Sequence, residues 1–130
     1  MVCLDTGFLI DWLRGNERAK RKHIEILEGR EQLTTSIITA YELEKGASFS
    51  NNPAKDLNVV HDLLSELLIL ELNMPSVDLA SKLYSDLSAK GKLVGEFDIL
   101  IAATCIAAGE TLVTNDRDFD QITKLAKLYY

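Results

Sequence analysis

The sequence predicts an α/β fold, a central parallel sheet of four or five strands with helices packed on both faces. The chain opens on a short apolar run, Val2, Cys3 and Leu4, with none of the polar alternation of a half-exposed strand. Similar short runs recur between longer segments whose apolar residues fall at helical spacing, so strands and helices alternate along the chain. The 130 residues, 47% of them hydrophobic, suffice for one core, and a single domain over residues 1–130 is expected.

The first strand ends at Asp5-Thr6 and runs into an apolar-rich helix over 7–13. Gly15 and Asn16 break that pattern, and residues 17–28 resume it with Ile24 and Leu27 among many charges, as an exposed helix with a narrow apolar face. Its Arg18, Lys20, Arg21 and Lys22 form the only dense basic cluster in the chain, which reads first as a solvated face. Gly29 closes the helix, residues 32–36 read as a short strand, and 37–48 as a helix. Turn formers over 48–53 separate this from a long pattern in which Leu57, Val60, Leu63, Leu64, Leu67 and Leu68 share a helical face. A strand over 69–72, a turn over 73–75 and an amphipathic helix over 77–90 follow. The most apolar helix is expected over 96–108, ended by Gly109 and followed by a strand over 111–114. A polar turn over 115–118, a short helix over 119–125 and an edge strand at the final tyrosines complete the pattern.

The net charge of -6 and isoelectric point near 4.9 argue against a protein that holds nucleic acid through its overall field, so any such role must be local. Cys3 and Cys105 lie in apolar segments without C-x-x-C spacing, as buried free thiols of a reducing cytoplasm do. Met1 leads straight into the first strand without a leader pattern, and no apolar run reaches the length of a membrane span; a cytoplasmic protein is the expectation.

In a parallel sheet each connecting helix runs antiparallel to the strands, so helix N-termini gather at the strands' carboxyl edge, where ligands bind. Four acids map there: Asp5 after the first strand, Glu42 early in the helix after the second, Asp98 in the first turn of the apolar helix, and Asp116 just past the fourth strand. Each has a structural explanation of its own. Asp5 would serve as an N-cap, Thr39 and Glu42 fit a capping box, Asp98 would complement a helix dipole, and Asp116 would be a turn residue. Together they are harder to explain that way, because ionised carboxylates about 5 Å apart at an effective dielectric near 20 repel by roughly 3 kcal/mol per pair. An all-oxygen set favours a hard cation, Mg2+ or Mn2+, over zinc, and such a site suits attack of water on a phosphodiester or phosphate ester. His23 and His61 stand alone in helical segments and read as surface residues.

Asp5-Thr6 after an N-terminal apolar strand, Glu42, the segment Asp98-Ile99-Leu100-Ile101-Ala102-Ala103, and Val113-Thr114-Asn115-Asp116-Arg117-Asp118-Phe119 together resemble the PIN domain, and within it the VapC-type ribonuclease toxins of toxin-antitoxin pairs. The resemblance covers the whole chain. It implies a metal-dependent ribonuclease with Asp5, Glu42, Asp98 and Asp116 as acidic metal-site residues and Thr114 and Thr6 as polar supports. It also implies a homodimer and a silencing antitoxin peptide. Two departures stand out: Gly7 occupies a position where relatives carry Ser or Asn, and in some relatives the acid before the Phe, here Asp118, fills the fourth role. Asp116 follows the strand more closely, whereas Asp118 with Gln121 reads as the N-cap of the next helix.

Two other functions compete with an endoribonuclease acting on single-stranded RNA. A haloacid-dehalogenase-like phosphatase also places an Asp after its first strand but needs a second Asp where this chain has Gly7. A non-catalytic PIN-like module would bind RNA or protein without turnover. Neither glycine fingerprint of a nucleotide-binding enzyme is present.

Overall fold

A computed structural model describes residues 1–92 and 94–130. Strands β1 (Val2–Leu4), β2 (Leu33–Ser36), β3 (Leu68–Leu70), β4 (Thr111–Thr114) and β5 (Lys127–Tyr129) form one sheet in the order β3-β2-β1-β4-β5, every neighbouring pair parallel. Parallel neighbours require crossovers; those between β1 and β4 are supplied by α1 (Thr6–Leu13), α2 (Glu17–Glu28), α3 (Ile37–Ser48), α4 (Pro53–Ser65), α5 (Met74–Ala89) and α6 (Glu96–Ala108), and residues 115–126 carry the chain from β4 to β5.

The central strands explain the absence of polar alternation. Val2, Leu4 and Val113 face a core built with Phe8, Leu9, Ile26, Leu43 and Leu63 of the first four helices. Cys3 and Leu112 point the other way, into a core with Leu83, Ile101, Ala102 and Phe119. With both faces covered, both side-chain sets must be apolar. The polar strand β2 satisfies its buried hydroxyls on β1: Thr34 and Thr35 donate to the Val2 and Leu4 carbonyls at 2.9 and 2.7 Å.

Most boundaries fall within a residue of the sequence reading, and the larger differences have physical reasons. Helix α4 stops at Ser65, and Leu68, expected on its face, pairs with Thr34 as the first residue of β3, which ends at Leu70 rather than at 72. A leucine run serves a helix face and a strand equally well, and the sheet partner decides between them. Helix α5 begins at Met74, not at 77, because Asn73 and Ser76 exchange the reciprocal bonds of a capping box and Pro75 fits the first turn. The helix expected over 119–125 is a 3-10 helix, Arg117–Gln121. Buried Phe119, Ile122 and Leu125 recur every third residue, a spacing that matches one turn of helix, but Ile122 (φ -103, ψ 87) has already left it. Its N-cap is Asp116, not Asp118. No helix among the described residues is long and apolar enough to cross a membrane.

Candidate active site

Asp5 leaves β1 as the N-cap of α1. Its Oδ1 accepts from the Thr6 backbone N–H at 2.8 Å, and its Oδ2 accepts from the Thr114 hydroxyl at 2.7 Å. It is therefore a cap and a cleft residue at once, with 6% of its surface exposed. Thr114, fully buried at the end of β4, also accepts from the Asp116 backbone N–H at 3.0 Å, so one hydroxyl ties Asp5 to the turn that carries Asp116. Asp116 Oδ1 accepts in turn from the Asp118 N–H at 2.9 Å.

Glu42 is not a capping residue. The cap of α3 is Ser36, whose side chain accepts from the Thr39 N–H at 3.0 Å, which places Glu42 a further turn into the helix. Its Oε1 accepts instead from the Thr6 hydroxyl at 2.8 Å, and that hydroxyl lies 3.1 Å from the Thr39 hydroxyl. Asp98 lies in the first turn of α6, whose N-cap, Gly95, offers no side-chain bond. Asp5, Glu42, Asp98 and Asp116 thus reach one open cleft of about 380 Å3 from four separate elements. Among the described residues no Lys or Arg lines it. Asp98, Asp116 and Asp118 bring one carboxylate oxygen each within 4.8 Å of one another, so Asp116 and Asp118 both border the site rather than excluding each other.

Three polar cleft residues were given no site role from the sequence: Asp11, Asn115 and Tyr130. Asp11 carries the one usable signal, since it follows Gly7 by four residues and so shares its helix face. Tyr130 donates its hydroxyl to Asp11 Oδ2 at 2.7 Å across 119 residues, which no spacing reveals. At Gly7 a Cβ would meet nothing within 4 Å, so the cleft is open where a Ser or Asn would project. The histidines lie elsewhere: His23 packs on Trp12, and the exposed His61 bonds Glu44 at 2.9 Å. An apolar groove of about 410 Å3 adjoins the cleft, sharing Ile10 and Glu42 with it and lined further by Leu43, Ala47, Val59 and Val60.

This arrangement coincides with a family match: the model of the PIN domain covers residues 2–125. The chain belongs to the PIN domain family. Ribonuclease VapC2 of Haemophilus influenzae is 37% identical over 111 residues, spanning 82% of this chain and 84% of the relative. The tRNA(fMet)-specific endonuclease VapC of Salmonella typhimurium is 30% identical over 120 residues, spanning 92% and 89%. Among solved structures, VapBC2 of Rickettsia felis, bound to a DNA fragment from its promoter, superposes with a TM-score of 0.90 at 26% identity, covering 100% of this chain and 99% of that one.

In this PIN domain the acids perturb one another. Burial pushes the Asp5 carboxyl up to about 6; the Thr114 and Thr6 hydrogen bonds oppose the shift, and the charges of Asp116 and Glu42 add to it. Asp98 also rises to about 6, through burial first and then through Asp116, Asp5, Glu42 and Asp118. Carboxyls shifted upward by burial and by like charge are a destabilising feature that a bound cation relieves. The donors are all oxygen, the set a hard divalent ion prefers over zinc. The PIN domain thus fits such an ion by donor chemistry and by charge.

Proposed function

We propose that this PIN domain is a Mg2+- or Mn2+-dependent endoribonuclease that hydrolyses single-stranded RNA, and that it is the toxin of a toxin-antitoxin pair. The observation that carries the reading is the convergence of Asp5, Glu42, Asp98 and Asp116 on one cleft without a cationic side chain among the described residues. The ribonuclease relatives support it. Asp5, Asp98, Glu42 and Asp116 would hold the ion, with Asp118 beside Asp98 and Asp116. When bound, a hard divalent ion supplies Lewis acidity and neutralises charge at a phosphodiester. The chain's own residues set the stage for it. Thr114 and the Thr6 N–H fix both oxygens of Asp5, Thr6 aims Glu42, and the Asp118 N–H orients Asp116. The purified chain, freed of partner, is expected to cleave single-stranded RNA with Mg2+ or Mn2+ and to stop with EDTA. A nuclease-free preparation that is inert on several RNAs with both metals would favour the binding-module alternative.

The partner half of the proposal rests on the similarity to VapBC complexes and on the groove beside Glu42. An antitoxin segment would seat apolar side chains against Leu43, Ala47 and Val60 and extend a cation among the acids. Arginine suits that task because a guanidinium pairs a carboxylate bidentately where metal would otherwise bind. The structure of the complex checks this: a partner that leaves the acidic cleft open removes the idea.

A further inference from the structure

The acidic cleft continues into a second one of about 340 Å3, and Asp11, Asn115 and Tyr130 line both. Beyond that shared wall stand Arg18 and Arg21 of α2, three residues apart and exposed. We propose that these two arginines form a phosphate-binding subsite, which holds the backbone of an RNA strand as it leaves the acidic cleft over Asp11 and Tyr130.

Of the four residues in the basic cluster, only these two line the cleft. Lys22 pairs with Glu25 at 3.1 Å, and the Lys20 ammonium lies back over Gly15. Among the described residues neither arginine forms an ion pair; Arg21 Nε reaches only the Glu17 carbonyl, at 3.5 Å. Two carboxylates share the second cleft. Asp11 already accepts the Tyr130 hydroxyl, and Glu17 sits in the first turn of α2, where the helix dipole holds it. The platform is rigid: Asn16 caps α2 through the Ala19 N–H at 3.0 Å, Ala19 is fully buried between the arginines, and the Tyr130 ring stands edge-on to Phe8 at 5.1 Å.

The chemistry points to a phosphodiester chain rather than a protein. Planar guanidinium donors match phosphate oxygens, and the cleft offers no aliphatic side chain to anchor a peptide, whereas the groove on the other side of the acids does. A chain of net charge -6 with carboxylates at its centre needs such a local cationic landing to hold RNA at all.

The subsite rests on the ribonuclease reading, and the experiment keeps the two apart. In an Asp98→Asn background with EDTA, where cleavage is off, the anisotropy of a fluorescein-labelled single-stranded RNA is titrated with and without Arg18→Ala/Arg21→Ala. The added pair should weaken binding about tenfold and flatten the dependence of log K on log salt by about 1 to 1.4, the value for two single-strand phosphate contacts. Lys82→Ala, exposed on α5 in the opposite layer, should change neither. In the wild-type background the arginine pair should raise KM and leave kcat within about twofold, because the subsite binds strand and not the reacting phosphate. Alanine is the best helix former, and circular dichroism checks that α2 persists. Unchanged affinity and salt slope would overturn the subsite whether or not the wild type cleaves RNA, and would leave an acidic protein segment as the occupant. Weakened binding in a protein that cleaves nothing would keep the subsite and remove the ribonuclease reading.

Discussion

Asp98→Asn is expected to abolish RNA cleavage, by at least about a hundredfold, while making the metal-free protein roughly 1 to 2 kcal/mol more stable at neutral pH. Two effects compete. The substitution removes a charge that favours the N-terminus of α6, worth about 0.3 to 1 kcal/mol. It also removes the repulsion that Asp116, Asp5, Glu42 and Asp118 exert on that charge and the cost of burying it, which together raise the carboxyl to about 6. Because Asp98 is partly solvated, the second effect is smaller than the shift alone implies, yet it still exceeds the first. Mn2+ should raise the melting temperature of the wild type and raise that of the mutant less, since stabilisation follows the saturation of the folded state.

Glu42→Gln is the companion variant, and the structure sharpens it. Ser36 caps α3, so Gln at 42 disturbs no cap, and its amide oxygen can still accept from Thr6. A loss of cleavage in this variant therefore reports the missing charge. Melting curves in EDTA and in Mn2+, beside one RNA cleavage assay, decide the matter. Two active variants with unchanged metal response would sink the four-carboxylate site.

The sheet and the acidic edge were legible because they depend on local rules. Val2, Cys3 and Leu4 can be a run of three apolar residues only if both faces are covered, and Gly109 marks its helix end with a left-handed backbone at φ 69. The position of Asp5 at a strand end follows from the same run. Where several local patterns overlapped, the sequence misled. Ser36 and Thr39 are both credible caps, and because β2 ends at Ser36 and α3 starts at Ile37 no loop residue marks which one serves. The helix expected over 119–125 exists only as a 3-10 helix that ends at Gln121, although Phe119, Ile122 and Leu125 keep a three-residue spacing beyond it. What stayed hidden was long-range: the Tyr130–Asp11 bond and the shared wall between the two clefts depend on where β5 docks, which a single sequence does not encode in any local spacing.

Without metal, the protein should melt higher at pH 5 than at pH 7.5, and Asp98→Asn should shrink that difference. The sign follows from the two raised carboxyls. Asp5 and Asp98 move from 3.8 to about 6 in the folded protein, so between those values the folded state binds protons that the unfolded chain has released. Stability therefore falls as pH rises from about 4 to about 6 and stays low above. A rise from 3.8 to about 6 corresponds to about 3 kcal/mol, an upper bound for the buried Asp5 and less for the partly solvated Asp98; the two share the same repulsion and do not add. His23 works the other way, because burial lowers its pKa and the folded state resists its protonation below neutrality. Subtracting the pH profile of Asp98→Asn from that of the wild type cancels His23 and isolates the acid. The two proteins should melt together near pH 4, with the variant ahead by several degrees at pH 7.5 in EDTA. Mn2+ should close that gap at pH 7.5 by stabilising the wild type more, and do little at pH 5, where protons compete for the same oxygens. A wild-type profile parallel to that of the variant in EDTA, or a metal response equal at both pH values, would show that Asp98 is not part of a repelling cluster that a cation neutralises.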